Sequence, residues 1–75
     1  MDEQPYNQLP ALRAQRGISQ QELADGIGVS RKTISTIETR RFTPSVVIAL
    51  KLALYFQRPV EAIFSLQPID HEEAL

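Results

Sequence analysis

Residues 21–38 read QELADGIGVSRKTISTIE, and this stretch predicts two short helices joined by a sharp turn. The first helix is expected to begin after Ser19, because a serine hydroxyl and the Glu22 carboxylate three residues later can each accept from the other residue's amide. Gly28 is expected to end it, since glycine adopts the positive φ that a tight turn requires. Ser30 is then the predicted N-cap of the second helix.

The second of these helices has a narrow apolar edge and a broad polar face. On a wheel of about 100° per residue, Ile34 and Ile37 fall together, with Thr33 beside them. The opposite side is rich in hydrogen-bond donors and is cationic at its N-terminal end. It consists of Arg31, Lys32, Ser35, Thr36 and Thr39. A helix, a glycine-containing turn and a second helix are together typical of the helix-turn-helix motif.

Glycine, proline and cap residues divide the rest of the chain into three more helices, and no segment shows the alternation of a strand. These helices and their predicted boundaries are residues 8–16 with Asn7 and Gly17, residues 46–56 with Thr43 or Ser45, and residues 60–64 after Pro59. Residues 65–68 could add a short extended arm. The sequence therefore predicts an all-α fold, a compact five-helix bundle that contains the helix-turn-helix.

The distribution of charge predicts one folded domain between two acidic tails. All eight basic residues but only four of the nine acidic ones lie within residues 7–66, so this segment has a net charge of +4 although the whole chain is at −1. We therefore divide the chain into a flexible N-terminal tail of residues 1–6, a domain of residues 7–66 and an acidic C-terminal tail of residues 67–75. Local patches steer binding more than the total charge does, so the domain permits a polyanionic partner.

Composition excludes several classes of protein. The chain has no cysteine, which rules out disulfides, thiolate metal sites and a cysteine nucleophile. Its first ten residues lack the apolar stretch of a signal peptide, and its longest apolar run, residues 46–56, is shorter than the ~20 residues that span a bilayer. We therefore expect a cytoplasmic protein.

The sequence contains no constellation typical of an enzyme. The one histidine lies in the acidic tail, and there is neither a carboxylate pair nor a glycine-rich phosphate loop, so no catalytic residue and no cofactor are expected. The tail residues that could bind a metal weakly are Asp70, His71, Glu72 and Glu73. An acidic solvated tail accounts for them better, so no metal site is expected.

The spacing of these features resembles the Xre/lambda-repressor/Cro-type DNA-binding domains of bacteria and phages. The resemblance covers residues 8–64 and rests on LRAQRGISQQELADGIGVSRKTISTIE followed by TPSVVIALKLA. The later IFSLQP is similar to small stand-alone dimeric repressors of that family, such as the cytolysin-operon repressor. The resemblance implies a five-helix fold whose second and third helices bind double-stranded DNA, in a regulator associated with the nucleoid.

The resemblance and the helical wheel together give the candidate DNA contacts. Side chains at the front of a recognition helix reach base edges in the major groove, and the base-contacting candidates here are Arg31, Lys32, Ser35 and Thr36. Contacts to the DNA backbone position a protein without specifying sequence, and they are expected from Gln20, Thr33, Arg40 and Arg41. The resemblance also implies a structural ion pair between Arg13 and Glu38, which would join the first and third helices.

The end of the third helix departs from the family pattern. Many members have a glycine within three residues after the position of Glu38, whereas Thr39-Arg40-Arg41-Phe42 contains none. A left-handed conformation at a residue other than glycine costs about 1 kcal/mol. Either Arg40 adopts that conformation, or the turn differs from that of the family.

Surplus apolar residues predict a homodimer. The helix of residues 46–56 is apolar on almost all sides and must be buried on more than one of them. A domain of this size cannot easily bury so much apolar surface by itself. The predicted interface comprises Val47, Leu54, Tyr55, Val60, Ile63, Phe64 and Leu66. The alternative is that these residues complete the core of the monomer. A two-fold dimer would present two recognition helices about one DNA turn apart to a palindromic operator.

The sequence thus favours a sequence-specific transcriptional regulator. A repressor is expected, because no segment resembles a domain that recruits polymerase. An antitoxin that binds both DNA and a toxin is one alternative, although the tails leave little room for a neutralising segment. A protein-interaction adaptor that has lost DNA binding is the other alternative. The basic residues at positions 31, 32, 40 and 41 argue against it.

Overall fold

The computed structural model describes residues 3–68, in which the chain forms five helices and one short two-stranded ladder. In chain order the elements are β1 (Tyr6–Asn7), α1 (Leu9–Arg16), α2 (Gln20–Ile27), α3 (Arg31–Glu38), α4 (Val46–Phe56), α5 (Val60–Ile63) and β2 (Phe64–Ser65). The predicted five-helix fold is confirmed, and β2 overlaps the expected extended arm. The tail residues that could bind a metal weakly, Asp70, His71, Glu72 and Glu73, lie outside the described residues.

Local hydrogen bonds at both helix starts explain why residues 19–38 fold as the sequence predicts. The Ser19 hydroxyl accepts from the Glu22 amide at 3.0 Å, and the Glu22 carboxylate accepts from the Ser19 amide at 2.8 Å, so the capping box is present. Gly28 ends α2 with a φ of 77°. Ser30 begins α3 by accepting from the Thr33 amide at 3.1 Å.

Of the other helix starts, those of α4 and α5 are as predicted and that of α1 differs by one residue. α1 begins at Leu9, and Gln8 rather than Asn7 occupies its N-cap position. Asn7 still serves this helix, because its Oδ1 accepts from the Leu9 amide at 3.0 Å. Of the two candidate caps of α4, Ser45 is the one used, with its hydroxyl accepting from the Ile48 amide at 3.1 Å.

All five helices contribute to one core. Its buried side chains are Leu9, Leu12, Leu23, Ala24, Ile27, Ile34, Ile37, Leu52, Phe56 and Ile63. The placement of Ile63 in a dimer interface is therefore wrong, because this side chain is 0% exposed within a single chain. α5 is a single turn, and Ile63 is the residue that fixes it to the core.

The strands β1 and β2 pair antiparallel, with Tyr6 opposite Ser65 and Asn7 opposite Phe64. The Gln8 amide continues this contact by donating to the Ile63 carbonyl at 2.9 Å. Tyr6 was expected in a flexible tail, so this ladder moves the start of ordered structure to before residue 7. Strands of two residues produce no alternating pattern, which is why sequence periodicity did not predict them.

Arg16, the last residue of α1, binds the C-terminal end of α4. Its Nη1 and Nη2 atoms donate to the carbonyl oxygens of Tyr55 and Phe56, both at 3.1 Å. The guanidinium carbon also lies 5.5 Å and 5.1 Å from the centroids of these two rings. A cation is favourable at the negative end of a helix dipole, so Arg16 joins α1 to α4.

α4 packs closely against α2. A Cβ at Gly26, in the last turn of α2, would overlap the ring of Tyr55, so the glycine makes room for that ring. Lys51 donates from Nζ to the Ile27 carbonyl at 3.3 Å, at the end of α2. At 11 residues α4 is the longest helix of the described chain, and none there has the length and apolarity to cross a membrane.

Candidate nucleic-acid interface

The first turn of α3 presents two exposed cations. Arg31 and Lys32 are exposed, and among the described residues neither side chain has a hydrogen-bond or ion-pair partner. They follow the N-cap directly, while the opposite edge of α3 is fixed in the core by Ile34 and Ile37. The helix is thus held along one side and offers its cationic start to whatever approaches from the other.

Two hydroxyl groups of the polar face, those of Thr36 and Thr39, are engaged with the backbone of α3. Thr36 donates from Oγ1 to the carbonyls of Lys32 at 2.9 Å and Thr33 at 3.0 Å, and the hydroxyl of Thr39 donates to the Ser35 carbonyl at 2.9 Å. Donation into the helix leaves the oxygen lone pairs and the methyl group of Thr36 for an outside contact. Ser35 and Thr36 are both half-buried, so they lie deeper than the two cations.

Thr33 belongs to the N-cap of α3. Its hydroxyl shares a 2.9 Å hydrogen bond with the hydroxyl of Ser30, which also accepts from the Thr33 amide. The side chain is half-buried, so it lies at the border between the polar face and the buried edge. A phosphate could reach this hydroxyl only beside the cap.

The ion pair between Arg13 and Glu38 joins α1 to the end of α3. Arg13 donates from Nε to Glu38 Oε2 at 2.6 Å and from Nη2 to Oε1 at 3.0 Å. The side chains are 19% and 6% exposed, respectively. Hydrogen bonding to Glu38 raises the pKa of the Arg13 guanidinium, against the opposing effect of its partial burial.

Gln20 completes this cluster from the start of α2. Its Nε2 donates to Glu38 Oε1 at 3.0 Å, which uses one of its two side-chain N–H groups and leaves the other for a further acceptor. The first amides of a helix have no partner within it. Because Glu38 orients Gln20, one carboxylate fixes both the end of α3 and the N-terminal end of α2.

The turn after α3 places an arginine at a left-handed backbone position that glycine adopts most readily. Arg40 adopts the left-handed conformation with a φ of 62°. Its amide donates to the Ile37 carbonyl at 3.0 Å, and the Arg41 amide donates to the Thr36 carbonyl at 2.8 Å. These two bonds are those of a Schellman motif. The first of the two alternatives left by the sequence is therefore the one that occurs.

The two arginines of this turn have different surroundings. The guanidinium carbon of Arg40 lies 3.6 Å from the centroid of the Tyr6 ring, and its Nη2 donates to the Gln4 carbonyl at 3.0 Å. The N-terminal segment therefore already contacts this guanidinium, and the phosphate contact expected of Arg40 stays a prediction. Arg41 is exposed, and its side chain has no hydrogen-bond partner among residues 3–68.

Apart from the fully buried Ile63, the predicted dimer residues divide into an exposed and a partly buried group. Val47, Leu54 and Leu66 are 61%, 79% and 66% exposed. The half-buried ones are Tyr55, Val60 and Phe64, of which Tyr55 and Phe64 pack against the core.

Sequence reasoning missed two further exposed apolar residues on α4, Val46 at 74% and Leu50 at 52%. The spacing of four from Val46 to Leu50 to Leu54 gives one stripe along α4 and could have revealed them.

Comparison with known proteins agrees with the helix-turn-helix fold. The family model described as helix-turn-helix, HTH_3, matches residues 11–63. An uncharacterized HTH-type transcriptional regulator of Bacillus subtilis is 38% identical over 61 residues, which cover 81% of this chain and 92% of that protein. An uncharacterized HTH-type transcriptional regulator of Methanocaldococcus jannaschii is 41% identical over 58 residues, or 77% and 88% of the two chains.

A longer protein contains a similar segment. A putative HTH-type transcriptional regulatory protein of Methanocaldococcus jannaschii is 41% identical over 66 residues, which cover 87% of this chain but 21% of that protein. The matched family segment here extends from α1 to the end of α5 and contains the whole of α2 and α3. The chain therefore belongs to the Xre/Cro-type helix-turn-helix family of DNA-binding transcriptional regulators.

Proposed function

We propose that the protein is a sequence-specific repressor that binds a palindromic operator as a homodimer, with α3 in the major groove. The observation that supports this most is the start of α3, where Arg31 and Lys32 are exposed without side-chain partners in the described part of the chain. A major groove admits one α-helix, and the N-terminal side chains of that helix reach the base edges.

The base-contacting residues we propose are Arg31, Lys32, Ser35 and Thr36. The fork of the Arg31 guanidinium matches guanine O6 and N7, and Lys32 can donate to the same atoms as a point charge. Thr36 donates its hydroxyl hydrogen back to α3, which favours contact of its methyl group with a thymine. Each good bidentate contact discriminates against a wrong base by about 1–3 kcal/mol.

The backbone contacts we propose are made at both borders of α3. Gln20 retains a side-chain N–H beside the positive N-terminal end of α2, where an anion is favourable. Thr33 lies beside the N-cap of α3, and Arg41 lies exposed after its end. Such contacts fix the orientation of α3 on DNA, and base contacts then provide specificity.

Dimerisation is supported by apolar surface that is exposed on the described part of the chain. The exposed apolar residues of the predicted interface are Val47, Leu54 and Leu66, with Val46 and Leu50 adjoining on α4. One α3 reaches only a few bases, and a two-fold partner doubles that number. We further propose that the protein acts in the cytoplasm at the nucleoid and represses by occluding the DNA that it covers.

Selection of bound sequences from a random DNA pool tests this function. At about 0.15 M salt, where exposed charges are largely screened beyond ~8 Å, we expect a two-fold symmetric motif with half-sites about 10 base pairs apart. Lys32→Ala should relax preference at one position of each half-site. Arg58→Ala is the matched control, because it removes one exposed cation between α4 and α5 rather than on α3. Its self-association is measured alongside, since Arg58 borders Leu54 of the proposed dimer surface.

A pool that stays unenriched, with binding that disappears as salt rises, would contradict this proposal and favour a protein-interaction adaptor. Enrichment without two-fold symmetry would contradict the dimer alone. An antitoxin would bind the same motif but would also form a stable complex with a second protein.

A further inference from the structure

The segment before α1 contacts the turn that follows α3. Arg40 stacks on the ring of Tyr6, with 3.6 Å from the guanidinium carbon to the ring centroid, and donates from Nη2 to the Gln4 carbonyl at 3.0 Å. Thr43, two residues after Arg41, donates from its hydroxyl to the side-chain oxygen of Gln4. The residues around Tyr6 thus contact both sides of the position where Arg41 stands.

A second contact fixes the carbonyl end of α3 itself. Asn7, the neighbour of Tyr6 in β1, donates from Nδ2 to the Ile37 carbonyl at 3.2 Å and to the Glu38 carbonyl at 3.4 Å. The last carbonyls of a helix have no partner within it. The side-chain amide of Asn7 supplies a donor to both of these carbonyls, in addition to the Arg40 amide at Ile37. β1 is held in turn by its pairing with β2.

The conformation of Arg40 needs such support. It has a φ of 62°, a value that residues other than glycine rarely adopt and keep only where their surroundings hold them. Aromatic stacking and a hydrogen bond to a carbonyl are the restraints present here. Since this left-handed residue reverses the chain at the end of α3, it also sets the direction in which Arg41 leaves the helix.

We propose that Tyr6 and Arg40 form a positioning pair for the DNA interface, and that Arg41 is the cation of this turn that contacts a DNA phosphate. This rests on the proposed function. The guanidinium of Arg40 is held by the Tyr6 ring and by the Gln4 carbonyl. The exposed guanidinium of Arg41 has no side-chain hydrogen-bond partner among the described residues. The pair therefore adds to DNA affinity without neutralising a phosphate.

The salt dependence of DNA binding separates a phosphate contact from a positioning role. On a duplex carrying the selected motif, each neutralised phosphate contributes about −0.9 to the slope of log affinity against log salt. Arg41→Ala should reduce the slope by about 0.9 per protomer. Arg40→Ala should weaken binding by a similar factor at every salt concentration and leave the slope unchanged.

Variants of Tyr6 test the pair itself. Tyr6→Leu should reproduce the loss of affinity of Arg40→Ala, roughly 2- to 30-fold for a lost cation–π contact, and the double variant should lose no more than either single one. Tyr6→Phe keeps the ring and should bind as the wild type does. In urea unfolding without DNA, the same cycle should give a coupling of roughly 2- to 30-fold in the unfolding constant.

Two results would overturn the proposal. A slope that falls with Arg40→Ala while Tyr6→Leu binds normally would make Arg40 itself the phosphate contact. Additive losses in the double variant, with no coupling in unfolding, would mean that the two residues act separately. If the wild type selects no sequence while the unfolding cycle still shows coupling, the proposed function fails and the pair is only structural.

Discussion

Glu38→Ala should be among the most destabilising substitutions at a polar residue of this protein. The carboxylate accepts three hydrogen bonds, two from Arg13 and one from Gln20, and its side chain is 6% exposed. Removing one partner of a buried ion pair costs about 3–5 kcal/mol. Arg13 is 19% exposed and regains some water, so we expect a loss of about 2–4 kcal/mol.

That loss is large for a chain of 75 residues, whose total stability is expected near 4–11 kcal/mol. A domain of this size loses about 4–8 °C of Tm per kcal/mol, so this loss should lower the Tm by roughly 8–32 °C. Urea unfolding followed by circular dichroism measures the free energy directly. Glu61→Ala is the matched control, because this exposed glutamate on α5 has no side-chain hydrogen bond among the described residues and should change stability by less than about 0.5 kcal/mol.

A change within about 1 kcal/mol of the wild type for Glu38→Ala would refute the reasoning, since burial and three hydrogen bonds would then contribute no more than a surface pair does. Glu38→Gln separates the charge from the shape. It should fall between the wild type and the alanine variant, because an amide oxygen can still accept from Arg13 but without the ionic contribution.

Three further predictions concern α4 and its neighbours. Leu54→Ala should weaken self-association in sedimentation equilibrium but change the free energy of unfolding of the monomer by less than about 0.5 kcal/mol. Leu52→Ala, at a 0% exposed position of the same helix, should lower that free energy by about 2–5 kcal/mol. Equal effects on monomer stability would contradict this division of the surface. Gln57→Gly should raise stability by about 0.5–1 kcal/mol, because Gln57 is exposed and has a φ of 55°, and a lower urea midpoint would refute it. Gly26→Ala should destabilise the wild type by overlapping Tyr55 but stabilise the Tyr55→Ala background by up to about 1 kcal/mol, and the same sign in both melts would count against the contact.

The parts of the fold that sequence predicted are those determined by neighbours along the chain. The capping box of Ser19 and Glu22, the turn at Gly28 and the cap at Ser30 each involve residues within a few positions of one another. Local rules therefore sufficed for five helices and for the exposed face of α3. The ion pair between Arg13 and Glu38 needed the family resemblance, because nothing local links these residues.

The parts that sequence missed depend on contacts between distant residues. Arg16 meets the end of α4, and Tyr6 meets both Ser65 and Arg40, across most of the described chain. Ile63 looks the same in sequence whether it covers a partner or fills a core. Only the position of α5 against the other helices decides which of the two occurs.

The ladder between β1 and β2 also bears on the order in which the protein folds. Residues 6 and 65 meet only after nearly all of the described chain has been brought together, and closing so long a loop costs about 3–4 kcal/mol of entropy in the unfolded chain. The capped pair α2 and α3 forms from neighbours and bears no such cost. The nucleus of folding is therefore expected in the helix-turn-helix. The β1–β2 ladder is expected to form last in folding and to open first in unfolding.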